Sequence, residues 1–444
     1  MHHAVKLRSG ANSPPSDAVE TAERDQVGPA RPQVLFIAHR VPYPPDRGDR
    51  IRSFHLLKFL AARADVCLAF LSDHAVPDET MSVLRRYCRR VADVRLDRRL
   101  RWLGAARSMA LGRTATEGLF GSRRLKHIVR DWSANTRFDA VFAFCSSVAQ
   151  YLDAPALAGV PTVIDLVDVD SQKWFDYAEH SRGPRQKVFR LEGKRLRRLE
   201  ASLSNRAAAI TLVSPQEARL YRSFCPAEHV YVIQNGVDLE YFAPQETSAG
   251  SAADHCVFVG ALDYEANLDG VTWFCQEIWP RVRQRCPHMV FRLVGSNPGT
   301  AARRLATLPG VELVGEVPDV RPYLSDAAIA LVPLRIARGL QNKVLEAMAM
   351  GKPVVVTPQA LEGIGATPGV HVTQAATPDE WVEAMVNLIS YPDHRNRLGL
   401  AARAFVEQQF LWKNQLEPLV ALPGFSGCLQ QTEADAPQPL GKPV

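Results

Sequence analysis

The sequence predicts an α/β protein made of two doubly wound, parallel-sheet domains that face each other across a cleft. Three observations carry that expectation. Short, continuously apolar runs recur along the 444 residues, as in parallel strands buried on both faces. Each run is separated from the next by a stretch long enough for a helix or turn. Between two such series lies Ala243 to Asp254 (APQETSAGSAAD), small, polar and aperiodic like a linker. The length suits two domains, or three, each with its own core. A hydrophobic content of 46% with 23% charged residues is that of an ordinary globular protein.

Residues 1–33 are rich in Ser, Pro, Ala and mixed charge and lack a signal peptide's basic start and apolar run. A disordered leader is expected there. The first domain, 34–242, opens with the strand Gln33–Ala38 and the loop HRVPYPPDRGDR. A helix follows from about Arg50, with Ile51, Phe54, Leu57 and Leu60 at helical spacing and Asp49 as N-cap. Arg47, Arg50 and Arg52 surround that helix start and suit an anion, and Gly48 would let a ligand approach the backbone. Further strands are expected at Val66–Leu71, Ala140–Phe144, Thr162–Leu166, Ala209–Val213 and Val230–Gln234, with helices across the basic stretch between the first two of these. The strand at 162–166 ends in DLVDVDSQKW. Asp165 and Asp168 cannot both point the same way along an extended strand, so one should face the cleft and one be structural. Asn235 and Asp238 follow at the hinge, as turn formers or ligand contacts.

The second domain, 255–422, whose last helix could return to the first domain, repeats the pattern with strands at Cys256–Val259, Val290–Val294, Val311–Val314, Ile329–Val332 and Val354–Val356. Its most informative stretch is Val332–Thr357, VPLRIARGLQNKVLEAMAMGKPVVVT. A helix over Lys343–Met350 is stopped by Gly351 and Pro353. Lys343, a cation in the first helical turn, opposes the helix dipole. With Arg335 and Arg338 upstream, the loop and helix start look built for a phosphate. Residues 423–444 are rich in Pro, Gln and Gly, and a disordered tail is expected.

The net charge of +6 is uneven. Residues 85–130 hold fourteen Lys or Arg against three Asp or Glu. Such a block can face an anionic lipid surface, an acidic ligand or nucleic acid, or be the solvated side of core helices. Trp102, Leu103, Met109, Leu111, Leu119 and Phe120 are interleaved, which fits an interfacial helix as well as a core-facing one. An anionic membrane surface is retained as a partner and nucleic acid is not. No run approaches a membrane span. The eight cysteines include no C-x-x-C pair, which points to a reducing cytoplasm and away from a structural zinc site.

From about Val34 to Leu416 the chain resembles the GT-B-fold glycosyltransferases of family 4. Within them it is similar to the sugar transferases associated with PEP-CTERM/exosortase polysaccharide systems. The resemblance is carried by HRVPYPPDRGDRIRSF (39–54), DLVDVDSQKW (165–174), QNGVD (234–238), FVGALDYEANLDGVTWF (258–274), LVGEVPDVRPYL (313–324) and RGLQNKVLEAMAMGKPVVV (338–356). It implies two Rossmann-like domains, the first binding the acceptor and the second a nucleotide sugar. It also implies retaining transfer with no metal and no cofactor beyond the sugar nucleotide as co-substrate. Glu346, the second member of the family's Glu/Glu pair, would hold the ribose hydroxyls. Donor contacts are expected at Glu346, Lys343, Arg338, Gly339, Asn342, Gly260 and Gly295, with Gly48, Arg47 and Asp49 in the facing loop. Acceptor activation is expected from Asp168, then Asp165 or His39.

Two departures from the family pattern stand out. Arg338 replaces the first Glu of the pair. The basic pair after the second domain's first strand is also missing, with Ala261 and Ala266/Asn267 in its place. Arg338 and Lys343 could supply the lost diphosphate charge, or Arg338 could meet an acidic donor sugar. The expected activity is retaining transfer to a glycan or glycolipid acceptor, a lipid-linked polysaccharide precursor, by a cytoplasmic enzyme that is peripheral on the inner face of the plasma membrane. A non-catalytic scaffold of the same fold and a nucleotide-sugar 2-epimerase are the alternatives. A dinucleotide oxidoreductase fits worst, because the first loop lacks G-x-G-x-x-G.

Overall fold

The computed structural model describes residues 31–97, 99–179, 181–244, 255–337 and 339–429. The leader up to residue 30, the linker from 245 to 254 and the tail from 430 lie outside the described residues, as does Arg338.

Among the described residues, β1 (Gln33–Ala38), β2 (Asp65–Ser72), β3 (Cys88–Arg95), β4 (Ala140–Phe144), β5 (Thr162–Val167), β6 (Ala209–Leu212) and β7 (Val230–Val232) form one parallel sheet. Its order is β3-β2-β1-β4-β5-β6-β7. The second sheet, also parallel, contains β8 (His255–Val259), β9 (Val290–Val294), β10 (Val311–Gly315), β11 (Ile329–Val332), β12 (Val354–Val356) and β13 (Thr373–Gln374), in the order β10-β9-β8-β11-β12-β13. Both sheets reverse direction of growth beside their first strand, between β1 and β4 and between β8 and β11. Loops leaving those paired strands diverge, and the crevice between them is where such sheets bind ligands.

Helices of the first domain are α1 (Gly48–Ala61), α2 (Asp78–Tyr87), α3 (Leu100–Ala110), α4 (Ala115–Leu119), α5 (Arg123–Asn135), α6 (Asp170–Glu179), α7 (Gly183–Leu203) and α8 (Pro215–Phe224). Those of the second are α9 (Glu265–Trp273), α10 (Trp279–Arg285), α11 (Thr300–Leu305), α12 (Arg321–Asp326), α13 (Asn342–Ala349), α14 (Pro358–Leu361), α15 (Pro378–Ser390) and α16 (Pro392–Gln409), followed by α17 (Trp412–Leu416). The apolar runs are explained by burial on both faces. In β1, Leu35 and Ile37 join one core cluster while Val34, Phe36 and Ala38 join the other.

Three expectations are corrected here. The basic stretch is not all helix, since Cys88–Arg95 is the edge strand β3. Arginines hide its pattern, and charge on an edge strand is what discourages further strand pairing. Asp49 does not cap α1. The helix starts at Gly48 after Arg47, without a side-chain cap. The tail does not begin at 423 as disordered chain. After α16 the chain returns to the first sheet, where Trp412 stacks on His55 at 4.3 Å and Phe425 stacks on Phe142 at 6.1 Å. Trp412, Leu416, Leu419, Leu422, Phe425 and Leu429 are all buried in the first domain's core.

The outgoing and returning chains touch at Gly236. A side chain there would place Cβ 2.6 Å from the Trp412 backbone, so only glycine fits. Val237 N–H donates to the Phe410 carbonyl at 2.8 Å in the same crossing. If this return is part of the first domain's core, Phe425→Ala should cost about 3–5 kcal/mol. The check is a lowered urea midpoint for the first domain's transition.

Candidate active site

The N-terminal half of the cleft is built on the ends of β1, β4 and β5. His39 follows β1 directly, its ring stacked on Phe144 and edge-on to Phe120, both at 5.7 Å. Its Nε2 lies 3.6 Å from Asp49 Oδ2, and Arg40 donates to the same oxygen at 3.0 Å. His39 Nδ1 has no hydrogen-bonding partner among the described residues. Burial lowers the imidazole pKa to about 4, with Asp49 pulling weakly the other way, so the ring is neutral at physiological pH. Asp49 thus serves as a partner of His39 and Arg40.

The two aspartates separate as the strand geometry requires. Asp165 is fully enclosed. Its oxygens accept from Arg52 Nη2 at 2.7 Å, Arg52 Nε at 3.1 Å and the Val167 amide at 2.9 Å. With its oxygens bound and no access to the cleft, Asp165 is not a candidate for acceptor activation. Arg52, equally buried, is likewise not available to an anion. Asp168 is part-exposed at the cleft, where Lys173 Nζ lies 3.3 Å from its Oδ2 and 2.9 Å from Asp170 Oδ1. Burial works to lower the Lys173 pKa, but Asp170 and Asp168 outweigh it and hold the amine well above its ordinary range. Lys173 escaped the sequence reading, although its i,i+3 spacing from Asp170 was a usable sign.

Behind this loop α7 supplies a second carboxylate. Glu200 accepts from the Ser171 amide at 3.0 Å and caps the start of α6. Burial pushes the Glu200 carboxyl up to about 8.

Across the cleft, the start of α13 carries Asn342, Lys343 and Glu346. Lys343 Nζ donates to Asn267 Oδ1 and sits 5.0 Å from the Phe258 ring centroid. Asn267 is itself held by donating to the Ala261 carbonyl at 2.8 Å. The ammonium therefore reaches the loop after β8, the loop from which the family's basic pair is missing. Gly260 makes room for it, since a Cβ there would lie 3.1 Å from Lys343 Nζ. Gly295 has no room for a side chain against the Gly260 carbonyl, so its requirement is backbone packing between strand ends. Burial lowers the Lys343 pKa to about 8, opposed by Glu346. Burial raises the Glu346 carboxyl to about 7, opposed by Lys343.

The halves meet. Gly339 has φ +62°, and a Cβ there would be 3.0 Å from Asp168 Oδ1. Gly48 faces Asn342 Nδ2 at 4.0 Å from its ideal Cβ, which brings the starts of α1 and α13 together. Asn235 joins them from beneath, accepting from Arg52 Nη1 at 2.8 Å and donating to Asn342 Oδ1 at 3.2 Å. A groove of about 280 Å³ opens beside Gly339, lined by Gln216 and Leu220 of α8 and by Ala337, Gln359 and Glu362.

Of the other basic residues expected to receive an anion, Arg50 pairs with Asp46 at 3.0 Å and Arg335 donates to Asp269 at 3.0 Å. Arg47 is exposed beside Gly48, and the donor contact expected of Arg338 lies outside the described residues. Among the described residues no three His, Cys, Asp or Glu side chains gather as a metal site. No described helix is long and apolar enough to cross a membrane.

Comparison with known proteins agrees with this architecture. Residues 55–241 match the Glycosyltransferase Family 4 domain and residues 253–391 the domain described as Glycosyl transferases group 1. A putative colanic acid biosynthesis glycosyltransferase, WcaL of Escherichia coli (strain K12), is 29% identical over 153 residues. That match covers 31% of this chain and about a third (36%) of the relative's length. Among solved structures, Anabaena HepE in complex with UDP and glucose superposes with a TM-score of 0.61 at 15% identity, covering 88% of this chain and 99% of that one. Sucrose-phosphate synthase from Thermosynechococcus elongatus gives 0.64 at 16% identity, covering 88% and 98%. The fold is therefore GT-B, two Rossmann-like domains about a cleft. The chain carries a Glycosyltransferase Family 4 domain followed by a Glycosyl transferases group 1 domain.

The buried ion pair can be tested directly. Arg52→Ala strands the Asp165 carboxylate and should cost about 3–5 kcal/mol, whereas Arg52→Met with Asp165→Leu should recover most of that loss. Urea unfolding of the three proteins is the measurement.

Proposed function

We propose that this protein transfers a sugar from a nucleotide-sugar donor, bound against α13, to a glycan acceptor that enters beside Asp168. The observation that carries the proposal is the Lys343–Glu346 pair at the start of α13. Burial there displaces an ammonium and a carboxyl in opposite directions. A departing diphosphate needs positive charge held in place before the reaction. Lys343 supplies that charge at the N-terminus of α13, with its ammonium against the loop after β8. Glu346, one turn on, is assigned the two ribose hydroxyls, as the family resemblance implies. The UDP named in the HepE structure supports a nucleoside diphosphate as the common portion of the donor.

On the acceptor side, Asp168 is the carboxylate that reaches the cleft, and Lys173 positions it. His39 is a neutral imidazole beneath the same loop and serves as a hydrogen-bonding group for the acceptor. We assign retention because the family resemblance implies it, and transfer without a metal because positive charge at the donor site is supplied by Lys343 at the start of α13. The motif likeness to exosortase-associated transferases, together with the colanic acid relative, supports a polysaccharide precursor carried on a lipid at the inner face of the plasma membrane.

Thermal-shift screening with nucleoside diphosphates and nucleotide sugars tests the donor. At about 100 times Kd the stabilisation should be about 2.7 kcal/mol. If no nucleotide shifts the melt, the non-catalytic scaffold replaces this proposal, and turnover of the donor without acceptor would favour the epimerase. Lys343→Ala and Arg338→Ala should each weaken diphosphate binding by about 1.5–3 kcal/mol.

A second consequence follows from the Lys343 amine at about 8. An arriving diphosphate stabilises the protonated amine and raises its pKa, so binding near pH 8 should take up a fraction of a proton and weaken as pH rises further. Calorimetry in buffers of different ionisation enthalpy reads that uptake, and Lys343→Met should abolish it.

A further inference from the structure

α3 has its large and small residues on the opposite sides from a core-packed helix. Its inner face consists of Gly104, Ala105 and Ser108. A Cβ on Gly104 would lie 2.7 Å from the Gly118 carbonyl of α4, and Gly118 has no room for one against Gly104. Small residues make the contact, and the large apolar ones are left outside. Leu100, Trp102, Leu103 and Leu111 are between 62% and 66% exposed. A helix that buries its apolar stripe in a core shows the reverse arrangement. Single exposed hydrophobics are ordinary, but Leu100, Leu103 and Leu111 share one stripe of α3, with Trp102 on its other exposed flank, and grouped apolar residues rimmed by charge mark an interaction surface.

α7 continues the surface. Arg195 donates to the Met109 carbonyl at 2.8 Å and the Arg113 carbonyl at 2.9 Å, where α3 ends. Glu192 accepts from the Ala115 amide at 2.7 Å and the Thr116 amide at 3.0 Å, which holds the start of α4. One and two turns before Arg195 on the same stripe, Leu191 and Val188 are exposed. Residues 99–113 and 183–198 contain eleven Lys or Arg and a single acidic residue, Glu192. That carboxylate is buried. Arg107, Lys187, Lys194 and Arg198 stand on the exposed faces.

We infer that the α3–α4 hairpin and α7 form one platform that seats on an anionic bilayer. Leu100, Leu103, Leu111 and Leu191 enter the headgroup–acyl boundary while the basic residues meet lipid phosphates. Charge complementarity selects the partner, and the bulky aliphatic residues select lipid over nucleic acid, which is held by phosphate contacts and aromatic stacking. The inference rests for its purpose on the lipid-linked acceptor proposed above. α7 is also the helix whose Glu200 caps α6, so the platform is joined to the segment bearing Asp168 and Asp170.

The test is cosedimentation of the full chain with vesicles of phosphatidylcholine alone or with phosphatidylglycerol admixed, alongside the nucleotide thermal shift. Wild type should pellet only with the anionic vesicles. Leu100→Ser with Leu103→Ser should lower partitioning about tenfold or more, and Lys187→Glu with Lys194→Glu should do so most strongly at low salt. Both variants should keep the wild-type melting temperature and nucleotide shift. The platform is overturned if folded wild type stays in the supernatant, or if the apolar double variant pellets as well as wild type. It is equally overturned if the chain binds single-stranded RNA with an affinity that the apolar substitutions leave unchanged while vesicles fail to compete. Vesicle binding without any nucleotide shift would uphold the platform and remove the donor assignment instead.

Discussion

The cleft depends on the buried pair of Arg52 and Asp165. Neither side chain is exposed, and taking two ions out of water is costly enough that such a pair adds little net stability. Its contribution is positional. Arg52 projects from the second turn of α1 and binds the end of β5, so it sets how the loop containing Gly48 sits above the sheet. Its remaining donor reaches Asn235 at 2.8 Å, and Asn235 passes the constraint to Asn342, the first residue of α13. A chain of directional contacts thus runs from α1 of the first domain to α13 of the second. Directional polar contacts specify a geometry that apolar packing alone leaves loose.

The donor side stores its cost in electrostatics. Glu346, raised to about 7, favours the folded state when protonated, a contribution present at acid pH and lost as pH rises through 7. Lys343, depressed to about 8, favours the folded state when neutral, a contribution present at alkaline pH and lost as pH falls through 8. Near neutrality both groups are substantially charged in a place that disfavours charge. A diphosphate beside the ammonium and ribose hydroxyls on the carboxylate would relieve both. A site prepared for a ligand in this way meets it without reorganising.

Much of this was legible in the sequence, for identifiable reasons. Parallel strands buried on two faces leave continuous apolar runs, so eleven of the described strands could be placed, as well as the switch from one sheet to the next. β3 was lost among arginines, and β13, Thr373–Gln374, is too short to leave a pattern. Lys343 announced itself by opposing the helix dipole. Arg52 and Arg335 looked equivalent to it because charge is visible locally, while Asp165 and Asp269 compete for them through the fold; Arg50 is taken by its neighbour Asp46, four residues back. Arg52 and Asp165 are 113 residues apart, and no local pattern joins them. The outward-facing α3 was ambiguous for a related reason. Apolar spacing alone does not say which face meets the core; the Gly104–Gly118 contact decides it.

The separation of Asp165 and Asp168 shows how the backbone converts a sequence constraint into a site. Pairing of β5 with β6 slips between Asp165 and Val167, and such bulges re-aim side chains beside active sites. Val167 then adopts φ +66°, a conformation that a β-branched residue takes only at a cost of order 1–3 kcal/mol. The Asp165 carboxylate helps to offset it by accepting the Val167 amide at 2.9 Å, and the Val167 carbonyl takes the Val213 amide at 2.8 Å. Asp168 emerges from this corner with its amide on the Leu166 carbonyl at 2.8 Å and its carboxylate against Lys173 and Gly339. The enclosed aspartate therefore holds the turn that presents the exposed one. Substitution of Asp165 would displace Asp168, the residue to which acceptor activation is assigned in the proposal, without Asp165 ever facing the cleft.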